Sequence, residues 1–213
     1  MSVCILLYAD DLVILAPTWF AQQKLLNLCN AAVIGLDMKF NTSKSVTMIF
    51  VPHKITSRVS YFFPNFMLNG CVLNVVSSYK YLGHVISPVS DDNLDIARQM
   101  SLLYARTNVL IRKFGKCSRQ VKLCLFRAYC IQFYGAGLWE TFNITVMNRF
   151  EAAYCVKLFF GFARLNIVSA MFCELGLPTF KTIVHNAKFN ISICAKLHNN
   201  LLVRLVSDIC LVK

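Results

Sequence analysis

The stretch Ile5-Leu-Leu-Tyr-Ala-Asp-Asp-Leu-Val-Ile-Leu-Ala16 decides how this chain is read. Two apolar runs, Cys4 to Tyr8 and Leu12 to Ala16, flank Tyr8-Ala9-Asp10-Asp11, which predicts two strands joined by a tight turn with carboxylates at its tip. Adjacent carboxylates on a stiff turn repel each other, a cost usually tolerated where a divalent cation sits beside them. Oxygen-only ligands favour a hard ion such as Mg²⁺. Aspartate is also a common turn residue, so the pair taken alone is read equally well as a structural turn.

Outward from the hairpin, short apolar runs broken by turn residues continue to about residue 90. Val46 to Val51, Met67 to Leu68, Val72 to Val76 and Tyr81 to Ile86 read as further strands. One helix interrupts them, about Phe20 to Val33, with Trp19 starting or stapling it and Gly35 closing it. Beyond residue 90 the period becomes helical. Ile96, Met100, Leu103, Leu110 and Phe114 share a stripe, with Gly115 as a stop. Ser118 opens a second helix whose apolar face is Val121, Cys124, Leu125, Ala128, Tyr129 and Phe133. A third runs from Thr145 to Phe160 ahead of Gly161, and Thr179 starts a last one toward Leu205. The expected class is α+β: a small antiparallel sheet with one helix, then an all-α region.

The composition narrows the function classes. Of 213 residues, 57% are apolar or aromatic and 15% charged, which excludes a disordered chain and supplies a core for one large or two small domains. Globular chains average about 45–50% apolar, so this one either enters a membrane or lacks a neighbour. A spanning helix needs about 20 apolar residues. The charge-free runs Leu12 to Gln23, Leu25 to Leu36 and Ala128 to Trp139 are 12 residues each. The longer Val59 to Tyr79 is punctuated by Pro64, Asn65, Asn69, Gly70 and Asn74. No membrane span and no signal peptide are expected. Ten cysteines show no pair at zinc-knuckle spacing, so they read as buried and reduced, which places the chain inside the cell, in cytoplasm or nucleus. The glycosylation sequons at Asn41, Asn143 and Asn190 are then chance matches.

Charge is uneven. The net charge is +12, and between Asp95 and Glu140 lie 44 residues with no acid and eight bases: Arg98, Arg106, Arg112, Lys113, Lys116, Arg119, Lys122 and Arg127. A helical pair of one sign reads as a polyanion-binding face, because each phosphate neutralised releases condensed counterions. A merely solvated face is the plainer alternative.

Four stretches together resemble the reverse transcriptases of non-LTR retrotransposons. Tyr8-Ala9-Asp10-Asp11 resembles their catalytic hairpin, motif C, and Gly35-Leu-Asp-Met-Lys-Phe-Asn-Thr-Ser-Lys44-Ser resembles motif D. Tyr79-Lys-Tyr-Leu-Gly-His-Val-Ile86 resembles motif E, the hairpin that grips the primer end. Phe126-Arg-Ala-Tyr-Cys-Ile-Gln-Phe-Tyr-Gly-Ala-Gly-Leu-Trp139 resembles the thumb helix. The matches stand in the family's order over residues 3 to 163. Each has a plainer reading by itself: Tyr81-Leu82-Gly83 as an amphipathic strand with a bulge, Lys44 as a solvated strand start.

The resemblance implies a partial palm over 1–89 (motifs C, D and E), a thumb-like helical region over 90–165 and a C-terminal helical extension over 166–213. It implies RNA-directed DNA polymerisation, a nucleotidyl transfer assisted by two Mg²⁺ ions. Asp10 and Asp11 would be metal ligands, and Lys44 would lie near the triphosphate. Leu82, Gly83 and His84 would lie under the primer. The eight bases would track a duplex of RNA template and DNA primer, with a dNTP as substrate. The family's metal pair also needs a motif A carboxylate from an upstream strand, and only nine residues precede Asp10. Motif B, the fingers, an endonuclease and a C-terminal Cys/His knuckle are missing too. The expectation is therefore a C-terminal fragment retaining half of the two-ion site, inactive alone unless the missing N-terminal half acts with it. A non-catalytic basic module that binds nucleic acid is the alternative, and a helix lying on anionic lipid is a third reading. Phe62, Phe63 and Phe66 read as irregular core or an exposed former interface before base-stacking groups. His53, His185 and His198 have no partners at metal-ligand spacing.

Overall fold

The structure, a computed structural model, describes residues 4–50, 63–89, 91–151, 154–201 and 203–204. His53, Phe62, Val51 and Leu205 lie outside the described residues. The chain divides into two compact units, 1–79 and 80–213, so the division falls about ten residues before the change of texture in the sequence. Helices and short strands coexist, as an α+β chain requires.

In the first unit, β1 (Cys4–Tyr8) and β2 (Asp11–Leu15) pair antiparallel in the register Tyr8↔Asp11 and Cys4↔Leu15. The helix α1 (Trp19–Gly35) follows, N-capped by Thr18, whose hydroxyl accepts from Ala21 N at 3.2 Å. It does not close on Gly35. Asp37 takes the left-handed conformation (φ 56°), Met38 N reaches Val33 O and Asp37 N reaches Ile34 O, a Schellman ending with aspartate in glycine's usual place. Of the remaining strands Met67–Leu68 is as read, while among the described residues the runs Val46 to Val51 and Val72 to Val76 form only two-residue strands. β3 (Val46–Thr47) pairs with β6 (Asn74–Val75), while β4 (Met67–Leu68) pairs with β5 (Cys71–Val72) around an Asn69-Gly70 turn with both residues left-handed.

The β3–β6 pair is parallel, so the expected antiparallel sheet is corrected to separate two-stranded ribbons, one of them parallel. A strand extends only as far as its partner offers hydrogen bonds, and β6 offers two residues plus Val76 N to Thr47 O. Leu26, Phe66, Leu68 and Leu73 form this unit's small core, with Trp19 tilted over Phe66. Phe66 is thus a core residue, as expected, while Phe63 is exposed.

The second unit opens at Lys80 within the hairpin of β7 (Tyr79–Tyr81) and β8 (His84–Ile86); the apolar run Tyr81 to Ile86 by itself reads as one strand, while the motif E resemblance implies a hairpin. The helices α2 (Asn93–Phe114), α3 (Arg119–Tyr129), α4 (Ile144–Glu151), α5 (Tyr154–Phe160), α6 (Val168–Glu174) and α7 (Phe180–Lys196) follow, with a 3₁₀ turn at Ala136–Leu138. The α2 stripe is as predicted: Ile96, Leu103 and Leu110 are buried, with Met100 and Phe114 packed against them. Helix is described over Ile144–Glu151 and Tyr154–Phe160, along the span expected to be helical, and Met147, Phe150, Val156 and Phe159 enter the core.

The expected α3 face holds at Leu125 and Phe133, which pack in the core, and is corrected at its other positions. Val121 is 45% exposed and Cys124, Ala128 and Tyr129 are exposed, whereas Phe126 is wholly buried with Cys130 behind it. The true face carries Lys122, whose stem lies half-buried while Nζ sits over the Phe159 ring and reaches Phe159 O at 3.4 Å. An aromatic cluster of Phe133, Trp139, Phe150, Phe172 and Phe180 fills the centre, mostly edge-to-face. Among the described residues no helix is long and apolar enough to cross a membrane, and no group of three His, Cys, Asp or Glu is gathered.

Candidate functional site

The two-residue turn Ala9-Asp10 joins β1 to β2, and Ala9 has φ 51°, a left-handed conformation that costs a residue with a Cβ on the order of 1 kcal/mol. Asp10 and Asp11 are exposed, and among the described residues neither side chain makes an ion pair or hydrogen bond. Their oxygens are the donor type Mg²⁺ takes, but a solvated pair supplies at most one or two ligands. With no third carboxylate gathered beside them, the described residues do not by themselves make a two-ion centre. Around the tip, Ile5, Leu6, Leu7 and Tyr8 are all exposed, Leu7 at 74%. Successive strand residues point to opposite faces, so β1 is exposed on both, whereas on β2 Leu12, Val13 and Ile14 are half-buried and Ile14 packs against the small core. Lys44 stands two residues before β3. Asn41 Oδ1 accepts from Ser43 N and Lys44 N, which fixes this turn, and the Lys44 side chain is exposed.

The β7–β8 tip is better defined. Leu82 (φ 45°) and Gly83 (φ 86°) are both left-handed, as a type I′ turn requires. His84 is turned inward between two aspartates. Its Nε2 lies 3.4 Å from Asp92 Oδ1, and its Nδ1 lies 3.1 Å from Asp95 Oδ2, near enough for an ion pair but off the line of a hydrogen bond. Asp95 is 0% exposed and collects donors from three elements. Arg98 donates through Nε and Nη2 to its Oδ1 at 2.9 and 2.7 Å, Val85 N donates to the same oxygen at 3.1 Å, and Trp139 Nε1 donates to Oδ2 at 2.9 Å. Asp92 in turn accepts from Glu140 N and Thr141 N at 2.7 and 3.0 Å. This buried network ties the hairpin, the start of α2 and the Trp139 loop into one body.

The eight bases divide into two groups. Five hold partners within the chain. Arg98 binds Asp95, and Arg106 donates to Tyr129 O. Arg119 pairs with Glu174 at 2.7 Å, Lys122 reaches Phe159 O, and Arg127 donates to Gly176 O at 2.9 Å. Arg112, Lys113 and Lys116 are exposed and, among the described residues, unpaired; they cluster at the C-terminal end of α2 and the turn behind it. Arg112 and Lys113 also meet the negative end of the helix dipole there.

Asp92, Asp95 and Gln99 are site residues that the sequence reading passed over, while Tyr134 and Trp139 lie in the quoted thumb-like stretch without a site role given to them. A signal was present: Asp95, Gln99 and Thr107 fall on the buried side of α2 with Ile96, Leu103 and Leu110, and all three are buried. Polar side chains on a core stripe mark an internal network, since each must find a partner. No protein-family model, curated protein or solved structure matches the chain.

Proposed function

We propose that the chain is part of an RNA-directed DNA polymerase of the reverse-transcriptase family, from a non-LTR retrotransposon, and that by itself it binds nucleic acid without extending primers. The observation that carries the reading is the order of the four resembling stretches along the sequence, beginning with a carboxylate pair on a hairpin turn. Exposed, unpaired Asp10 and Asp11 support the role of metal ligands, with Lys44 near the triphosphate. In the intact enzyme Mg²⁺ would supply activation of the primer hydroxyl and stabilisation of the triphosphate. The chain's own part is to offer two carboxylates on a rigid turn and to hold the duplex. No third carboxylate is gathered with the pair among the described residues. Free cysteines are compatible with a reducing, intracellular setting.

A second reading, a non-catalytic nucleic-acid-binding module, is favoured by Arg112, Lys113 and Lys116, which no carboxylate neutralises among the described residues. One experiment addresses both. The purified chain is titrated onto an RNA–DNA primer–template at several salt concentrations and supplied with dNTPs and Mg²⁺. The expected result is binding whose log affinity falls linearly with log salt, with no extension. The variant R112A/K113A/K116A should flatten the slope by about two to three phosphate contacts' worth. Extension abolished by Asp10→Ala would overturn the proposed inactivity. Absence of binding at low salt would overturn both readings.

A further inference from the structure

The resemblance places His84 under the primer, yet the imidazole is turned inward between Asp92 and Asp95, with its side chain 17% exposed. The tip presents other groups to solvent: Leu82, 39% exposed, and the ring of Tyr134, 65% exposed. The Tyr134 ring lies over Gly83, the residue next to Leu82 in the turn. A Cβ at position 83 would come 2.6 Å from Tyr134 Cε1 and 3.1 Å from Cδ1, so the ring lies against bare turn backbone where only glycine fits. The backbone beneath the ring is fixed too. Buried Gln99 donates to Tyr134 O at 2.6 Å, and Gly135 is left-handed, its absent Cβ leaving room for His84 Nδ1. An aromatic side chain that stays mostly in water while glycines and a buried amide hold its position is preorganised for a ligand. Lys80 is exposed on the same hairpin and adds a cation suited to a phosphate.

We propose that Tyr134, seated on Gly83 beside Leu82, is a stacking platform for one nucleobase of a bound strand. This rests on the nucleic-acid reading above and names a contact that the reading does not contain. Stacking fits the geometry because a ring offers a π-face to any base, without a sequence-specific hydrogen bond.

The test uses the full chain and a primer–template whose primer ends in 2-aminopurine, with a single strand carrying the same base internally. Binding of the wild type should change the 2-aminopurine fluorescence, and Tyr134→Phe should retain affinity within about twofold. Tyr134→Leu, which keeps an apolar cover over Gly83, should lose the fluorescence change and about tenfold in affinity, within the range expected of one base–aromatic stack. Photocrosslinking of the wild type to 5-iodouracil-substituted strands, read by mass spectrometry, should label Tyr134 and needs no variant to fold. Crosslinks that avoid Tyr134, or a folded Tyr134→Leu with unchanged affinity and fluorescence, would overturn the platform. If R112A/K113A/K116A still weakens binding in that case, the wider reading survives without it. A wild type that binds neither strand overturns both.

Discussion

At the scale of single residues, Asp95 concentrates more of this molecule's specificity than either turn aspartate. A fully buried carboxylate is tolerable only because Arg98, Trp139, Val85 and His84 surround it. Asp95→Ala leaves a guanidinium and an indole N–H without their acceptor and should lower unfolding free energy by about 3–5 kcal/mol in urea titration. Asp10→Ala, at an exposed position without partners, should stay within about 0.5 kcal/mol. Cysteine chemistry is graded in the same way. Burial pushes the Cys155 thiol up to about 11 and raises Cys130 as well, although a hydrogen bond from Thr107 pulls both back. At pH 8, Cys71, Cys124, Cys173 and Cys194, all exposed, should react with a maleimide, while Cys130 and Cys155 react only on unfolding. These are folded-state values above the unfolded one, so their contribution to stability is intact below about pH 9 and is lost as pH rises toward 11. A thermal melt across that range should show the fall.

At the scale of elements, α3 separates what periodicity can reveal from what it cannot. Phe126→Ala should cost about 3–5 kcal/mol and Val121→Ala less than about 0.5, since one side chain is wholly buried and the other is not. Equal costs in paired denaturation curves would restore the face read from the sequence. The sequence misleads here because Lys122 stands on the buried side, and a lysine stem packs on apolar surface while its head reaches out. The α2 stripe was legible for the opposite reason: its intruders are uncharged or are neutralised in place by Arg98. The hairpin β1–β2 was legible from two apolar runs around a turn. The short ribbons were not, because a strand's length depends on a partner far along the chain. Of the candidate site, the turn carboxylates were visible as a motif. The His84–Asp95–Trp139 network was not, since it joins residues that only packing brings together.

At the scale of the whole molecule, the apolar excess and the positive charge find separate homes. Among the described residues the first unit holds a core cluster of Leu26, Phe66, Leu68 and Leu73 beside a ribbon whose β1 strand is exposed, whereas the second holds a continuous core from α2 to α7. Local opening tracks the density of buried apolar contacts. In hydrogen-exchange mass spectrometry, peptides from β1–β2 should exchange orders of magnitude faster than those covering Leu103 to Leu110 or Val156 to Phe159. Equal protection would mean that the ribbon is covered in solution. The +12 charge is less uniform than its sum suggests, because five of the eight bases in the acid-free stretch are engaged in holding helices and turns together.

The network around Asp95 also has a bearing on time. Its donors enter the ribosome's output in the order Val85, Arg98, Trp139, and at about 5–20 residues per second the last arrives several seconds after the first. During that interval the nascent hairpin has its type I′ turn but not its indole anchor. The tip therefore acquires its final geometry only once translation has passed Trp139, and a chain released before that point carries a loose hairpin however sound its upstream sequence.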